Sequence, residues 1–182
     1  DVAADRLVVS EGITLNRADI GLNLGAAGGV IDLRSATLGG GNVRGTVSAE
    51  LRDGQAVVAG TVFLEEVPLP TLVWRPDDQP AAEGDLTLTV QFNAAGRSPA
   101  GIVASLNGEG TMAINRGAFG FMNPEAFALT TALVDANPNI GEIGLRDAFA
   151  GFLDAGRFQF PEANATFSIA GGFVNAPRVI VE

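Results

Sequence analysis

The sequence predicts a β-rich α+β fold: an antiparallel, curved, meander-like and groove-like sheet with about three short helices in the C-terminal half. Three observations predict it. Apolar and polar residues alternate over segment after segment, the period of a strand with one wet face. Glycine supplies 24 of the 182 residues and falls repeatedly between those segments, where turns need it. The pairing of a capping residue with a following proline, which starts helices, is found at Ser98-Pro99 and Asn123-Pro124, both in the second half. The chain reads as one domain over 1–182, with a strand block at 1–73, a polar loop at 75–84 and a mixed strand and helix block at 85–182.

Residues 7–73 read as consecutive strands. Over 13–24 the apolar parity changes, from Ile13 and Leu15 to Ile20, Leu22 and Leu24; a bulge or bend near 17–19 reconciles the two phases. Residues 30–38 form the next strand, closed by Gly39-Gly40-Gly41. The clearest strand is 42–52, with Val43, Gly45, Val47, Ala49 and Leu51 facing one way and Arg44, Thr46, Ser48, Glu50 and Arg52 the other. Asp53-Gly54 is a hairpin signal, and 55–64 turns back from it with both faces fairly apolar.

The stretch RPDDQPAAEG at 75–84 is a proline-punctuated loop. Beyond it, Leu86, Leu88, Val90 and Phe92 alternate with Asp85, Thr87, Thr89 and Gln91 in a strand over 85–92. Ser98-Pro99 opens a helix over 99–106, for which Asn107-Gly108 suits the C-terminal cap. A strand over 110–121 follows, interrupted by an Arg116-Gly117 turn. Asn123-Pro124 opens a second helix to 136, with Phe127, Leu129, Leu133 and Val134 as its apolar stripe. Leu145, Phe149, Phe152 and Leu153 mark a third helix over 145–155. Strands at 158–170 and 173–181, joined by Gly171-Gly172, close the chain. A glycine turn before a strand recurs in EGITLNRADIG, RDGQAVVAG and NRGAFGF, which hints at stacked hairpin units without a defined period.

Composition removes most active-site chemistry. There is no His, Cys, Tyr or Lys, so all 11 basic residues are arginine. Imidazole bases, thiolate nucleophiles, CxxC zinc sites, Schiff bases and a P-loop lysine are all excluded. A hydrolase working through a carboxylate pair is the main surviving enzyme class. The adjacent pairs Glu65-Glu66 and Asp77-Asp78 are poor candidates. Neighbours on a strand face opposite ways, and no calcium loop surrounds Asp77-Asp78, so solvated charge is the simpler reading of both. Gly39-Gly40-Gly41 is a turn and not a phosphate loop, because no helix follows it. Asn164-Ala165-Thr166 has the form of a glycosylation sequon. The expectation is a non-catalytic protein with no cofactor and no metal. The net charge of -10 argues against nucleic acid and against adhesion to anionic headgroups. The chain contains no run approaching a membrane span and no signal-peptide pattern, and opening on Asp1 reads as a mature fragment or an excised piece.

The segment GRSPAGIVASLNGEGTMAINRGAFGF, residues 96–121, resembles the C-terminal region of the AsmA family of bacterial envelope proteins. There a strand ends in a small polar turn, and a short helix runs into an SLNG-type phrase, here Ser105-Leu106-Asn107-Gly108. A strand with an RG-type turn comes next. Residues 162–181, EANATFSIAGGFVNAPRVIV, are similar to the strand pair that follows in that family, and 31–72 to its glycine-punctuated hairpin. The resemblance implies a periplasmic domain tethered to the inner membrane by a segment outside these residues. It also implies a long sheet with an apolar interior that carries phospholipid and supports outer-membrane assembly.

On that reading Val43, Val47, Leu51, Leu86, Leu88, Val90 and Phe92 would contact acyl chains. For any one of them, packing in an ordinary core is the commoner fate. The implied partners are phospholipid acyl chains and upstream segments of the same protein, which an open sheet edge would accept. The helices near 124–155 would cap one end of the sheet. The alternative is a structural or protein-interaction module of an envelope assembly that carries no lipid.

Overall fold

A computed structural model describes residues 1–10, 12–73 and 80–182. Among the described residues, nine strands form a single sheet in sequence order, each antiparallel to the next. They are β1 (Val2–Ser10), β2 (Ile13–Gly25), β3 (Gly28–Leu38), β4 (Gly41–Arg52), β5 (Gln55–Pro68), β6 (Ala82–Gly96), β7 (Asn107–Gly120), β8 (Arg157–Ala170) and β9 (Phe173–Val181). A short helix α1 (Pro99–Ala104) joins β6 to β7, and a helical hairpin, α2 (Ala126–Ala136) and α3 (Glu142–Asp154), joins β7 to β8. The fold is a β-rich α+β meander whose open sheet curls, with its helices in the second half.

The turns follow local chemistry. Asp53 and Gly54 have φ of 50° and 73°, so both central residues of the β4–β5 hairpin are left-handed, as a two-residue turn matched to strand twist requires. Gly171-Gly172 does the same between β8 and β9, at 59° and 81°. Ser98 caps α1 by accepting the Gly101 N–H at 3.1 Å.

The elements differ from the sequence reading at several boundaries. β1 begins at Val2, ahead of residue 7. Residues 82–84, expected in a loop, belong to β6, where Ala82 pairs with Phe119 and Glu83 with Ala118. Of that predicted loop, residues 75–79 with Asp77-Asp78 lie outside the described residues. α1 stops at Ala104, and Asn107-Gly108 starts β7 and does not cap the helix. Ser105 ends the helix instead: its hydroxyl accepts the Ala95 N–H at 2.9 Å and lies 2.8 Å from the Ala95 carbonyl, which ties α1 to β6. α3 starts three residues earlier than expected, at Glu142.

Arg116-Gly117 does not interrupt its strand; pairing with β8 continues from Asn115–Glu162 to Gly117–Phe160. It is one of a row of bulges that crosses the sheet. Arg17 in β2, Glu66 in β5 and Arg116 in β7 have φ of 51°, 52° and 52°. The pairing register shifts beside each of them, and again between Leu33 and Ala36 in β3. A bulge inserts one residue, bends its strand and raises the local twist. Here it also moves the apolar phase from a step of two to a step of three, so that Leu15 and Ala18, Leu33 and Ala36, and Leu64 and Val67 share a face.

That band of bulges is where the core sits. Leu15, Ala18, Ala36, Leu38, Val43 and Val67 form one buried cluster. Leu69, Ala82, Leu86, Ile114, Phe160 and Ala163 form a second, and Leu64 and Leu72 pack against both. A single 3-10 turn at Leu69–Thr71 supplies Leu69 to the second cluster. The sheet is thus covered at one end of its apolar face by Leu69, Leu72 and Val73, which follow β5.

Candidate functional site

Directly paired residues of antiparallel strands share a face, so the register extends the apolar side of β4 across the sheet. Val47 pairs with Ile31 and Gly60, Val62 with Gly45 and Val90, and Leu88 with Leu64 and Met112. Met112 in turn pairs with Ala165, and Gly110 with Phe167. One face is therefore apolar from β2 to β8. The opposite face carries the polar partners: Thr46 opposite Thr61, Thr61 opposite Gln91, Gln91 opposite Glu109 and Glu109 opposite Ser168.

Glycine and phenylalanine shape the middle of the apolar face. Phe92 lies opposite Gly60, and a Cβ on Gly60 would sit 2.7 Å from the ring. Phe167 lies over Gly110, and Phe160 over Gly117, in the same way. Only a glycine lets a ring lie this close across the neighbouring strand.

All seven residues singled out in the sequence lie on this face, in three environments. Val43 and Leu86 are buried, at 7% and 8%, in the two core clusters. Val47, Leu88, Val90 and Phe92 are half-buried in the stretch between the 3-10 turn and α1. Leu51 is 64% exposed near the Asp53-Gly54 hairpin. Val58, Val62, Met112 and Phe167 share the half-buried stretch with them. Sequence reasoning did not select those four. Strand pairing places them there; for Val58 and Val62 the alternation within β5, where both faces are fairly apolar, carried no sign of which side they join.

The polar face has a different chemistry. A shallow hollow of about 670 Å³ opens on it beside Thr46, Ser48, Thr61, Gln91, Asn93 and Glu109. Hydroxyls and amides line it, with a single carboxylate among those six. Elsewhere carboxylates meet arginines: Asp85 with Arg116, Glu83 with Arg157 at 2.5 Å, and Arg34 with Asp1 at 2.6 Å. Glu65 and Glu66 are both exposed, and Glu66 occupies a bulge. Phe63, the large apolar residue on this side of β5, is covered by the Arg44 guanidinium at 4.5 Å from the ring centre. No described helix is long and apolar enough to cross a membrane.

The model of the AsmA family matches residues 1–178. No curated protein and no solved structure matches the chain.

Proposed function

The chain belongs to the AsmA family, and we propose that it is a non-catalytic periplasmic domain whose apolar sheet face holds phospholipid acyl chains in support of outer-membrane homeostasis. The family's association with the bacterial envelope supports the setting. The observation that carries the reading is the half-buried stretch of Val47, Val62, Val90 and Phe92, which lies on one face outside both buried clusters, with Leu88 at its border against the second.

An acyl chain needs dry surface and no reacting group. Each methylene that leaves water contributes about 0.8 kcal/mol, and an open face shields roughly half of each, so ten methylenes supply on the order of 4 kcal/mol. That scale suits a carrier, which must release what it holds. Attachment to the inner membrane would come from a segment outside these residues, and β1 and β9 offer free edges on which upstream strands of the same protein could pair.

The second reading is a module that binds protein and no lipid. It is favoured by the α2–α3 hairpin, where Phe127 and Ile143 stand 77% and 78% exposed. Photo-crosslinking in cells, with the full-length protein and probes at Leu88 and Thr87, separates the two. Phospholipid adducts at Leu88 and not at Thr87 are expected. A folded protein that yields no lipid adduct at either position would overturn the lipid reading and leave the protein-binding one.

A further inference from the structure

A row of hydrogen-bonding side chains crosses the polar face from β4 to β9. Direct pairing lines up Thr46, Thr61, Gln91, Glu109, Ser168 and Asn175. The 670 Å³ hollow lies along the β4–β7 part of this row. A second hollow of about 480 Å³ continues it over β6–β8, beside Thr111, Thr166 and Ser168, and the two share Gln91 and Glu109. Together they cross five strands, four spacings of about 4.8 Å or roughly 19 Å.

The chemistry of this trough narrows what it can hold. Thr61, Gln91, Asn93 and Glu109 make no side-chain hydrogen bond or ion pair to any described residue. The carboxylates of Asp32, Glu83 and Asp85, by contrast, are engaged by Thr46, Arg157 and Arg116. Glu109 is the single charged side chain among the described residues lining either hollow. One carboxylate is too few oxygen ligands for a hard cation, and no arginine lines the hollows to take a phosphate. Hydroxyls and amides both give and accept hydrogen bonds, which matches a ligand built of hydroxyl groups. With Glu109 in the trough and a net charge of -10 on the chain, that ligand is not an anion.

Phe173 adds an apolar platform to the same face. It pairs with Ala170, two residues along β8 from Ser168, so its ring stands on the side of Glu109, Ser168 and Asn175. It is 81% exposed and buries almost nothing for the fold. A sugar ring carries C–H groups on its flat faces and hydroxyls on its rim, so it lies on an aromatic face while its rim meets carboxylates and amides. Glu109 and Phe173 are separated by two strand spacings and two residue steps, about 12 Å, which fits roughly two to three sugar rings. A ring in an extended β-linked chain is about as long as the strand spacing of about 4.8 Å, so successive rings meet successive strands.

We propose that the polar face between β4 and β9 binds a neutral, extended glycan, with one ring stacked on Phe173 and the hydroxyls of neighbouring rings held by Glu109, Gln91 and Asn93. The site lies on the face opposite Leu88 and Val90 and stands independently of the lipid reading.

The test titrates cellopentaose and chitopentaose, two neutral β-linked chains, into isotope-labelled protein. The side-chain amide signals of Gln91, Asn93 and Asn175 report contact with this face alone. Saturable shifts are expected with at least one of the two chains, and affinity falls about tenfold in F173A and in E109A, the scale of one stacking contact or one hydrogen bond to a charged group. Trigalacturonate, an acidic chain, is expected to give no shift. Both substituted positions are exposed, and the backbone spectrum checks that the fold is kept; Q91A replaces either variant that loses it. No saturable shift with either neutral chain, shifts that survive the substitutions unchanged, or equal binding of the acidic chain would overturn the proposal. Lipid adducts at Leu88 are scored separately, so a failed glycan site and a failed lipid site give different results.

Discussion

Replacing valine by threonine at two positions of the apolar face separates an open surface from a filled core, because the two residues have nearly the same shape and differ by one hydroxyl. Val67 is 0% exposed, in the bulge band, within the cluster of Leu15, Ala18, Ala36, Leu38 and Val43. A hydroxyl placed there leaves water and meets apolar neighbours, which costs about 1–3 kcal/mol. Val90 is half-buried on the same face. Its γ-carbons border the uncovered stretch, a hydroxyl there keeps contact with water, and Val90→Thr costs less than about 0.5 kcal/mol, as for a surface position. For a chain of this length 1 kcal/mol corresponds to roughly 2–4 °C in Tm, so Val67→Thr lowers Tm by about 4–8 °C at the middle of its range while Val90→Thr lowers it by about 2 °C or less. Urea unfolding followed by circular dichroism gives both differences at constant m. Equal losses at the two sites would refute the argument, since Val90 would then be as dry as Val67 and the face a closed core.

Two further outcomes follow from the bulges and from α1. Glu66→Gly relieves a left-handed residue at φ 52° and should stabilise the protein by about 0.5–1 kcal/mol, the strain of that conformation less the entropy glycine adds to the unfolded chain; a loss of stability in the same urea titration would show that the Glu66 side chain, not its backbone, matters to the bulge. Ser105→Ala removes the hydroxyl that meets both the N–H and the carbonyl of Ala95 and should cost about 1–2 kcal/mol, with faster hydrogen exchange at Ala95; unchanged exchange there would remove Ser105 as the tie between α1 and β6.

The serine of the SLNG phrase illustrates how a motif becomes legible only in three dimensions. As sequence, Ser105-Leu106-Asn107-Gly108 carried the family resemblance and suggested a helix cap. As structure, its serine closes α1 onto β6 while Asn107 and Gly108 already pair in β7, with Asn93 and Phe92. The turn chemistry of Asp53-Gly54 and Gly171-Gly172, by contrast, was complete in the sequence, because a left-handed pair is a local demand that two residues meet by themselves.

What the sequence determined by itself was the strand and helix inventory, the direction each side chain of β4 and β6 faces, and the absence of His, Cys, Lys and Tyr. These depend on period, composition and near neighbours. The tertiary structure alone decided which residues of that face are dry. Val43 and Val47 are indistinguishable by alternation, yet one is buried in the cluster of Leu15, Ala18, Ala36, Leu38 and Val67 and the other is half-buried outside it. It also decided that the bulges line up. The parity change near Arg17 was visible in β2, but those at Glu66 and Arg116 were hidden, because there the apolar step of three runs through Glu65-Glu66 and Asn115-Arg116, which read as a strand end and a turn. Burial and bending are set by partners distant in sequence. No window of one strand contains them.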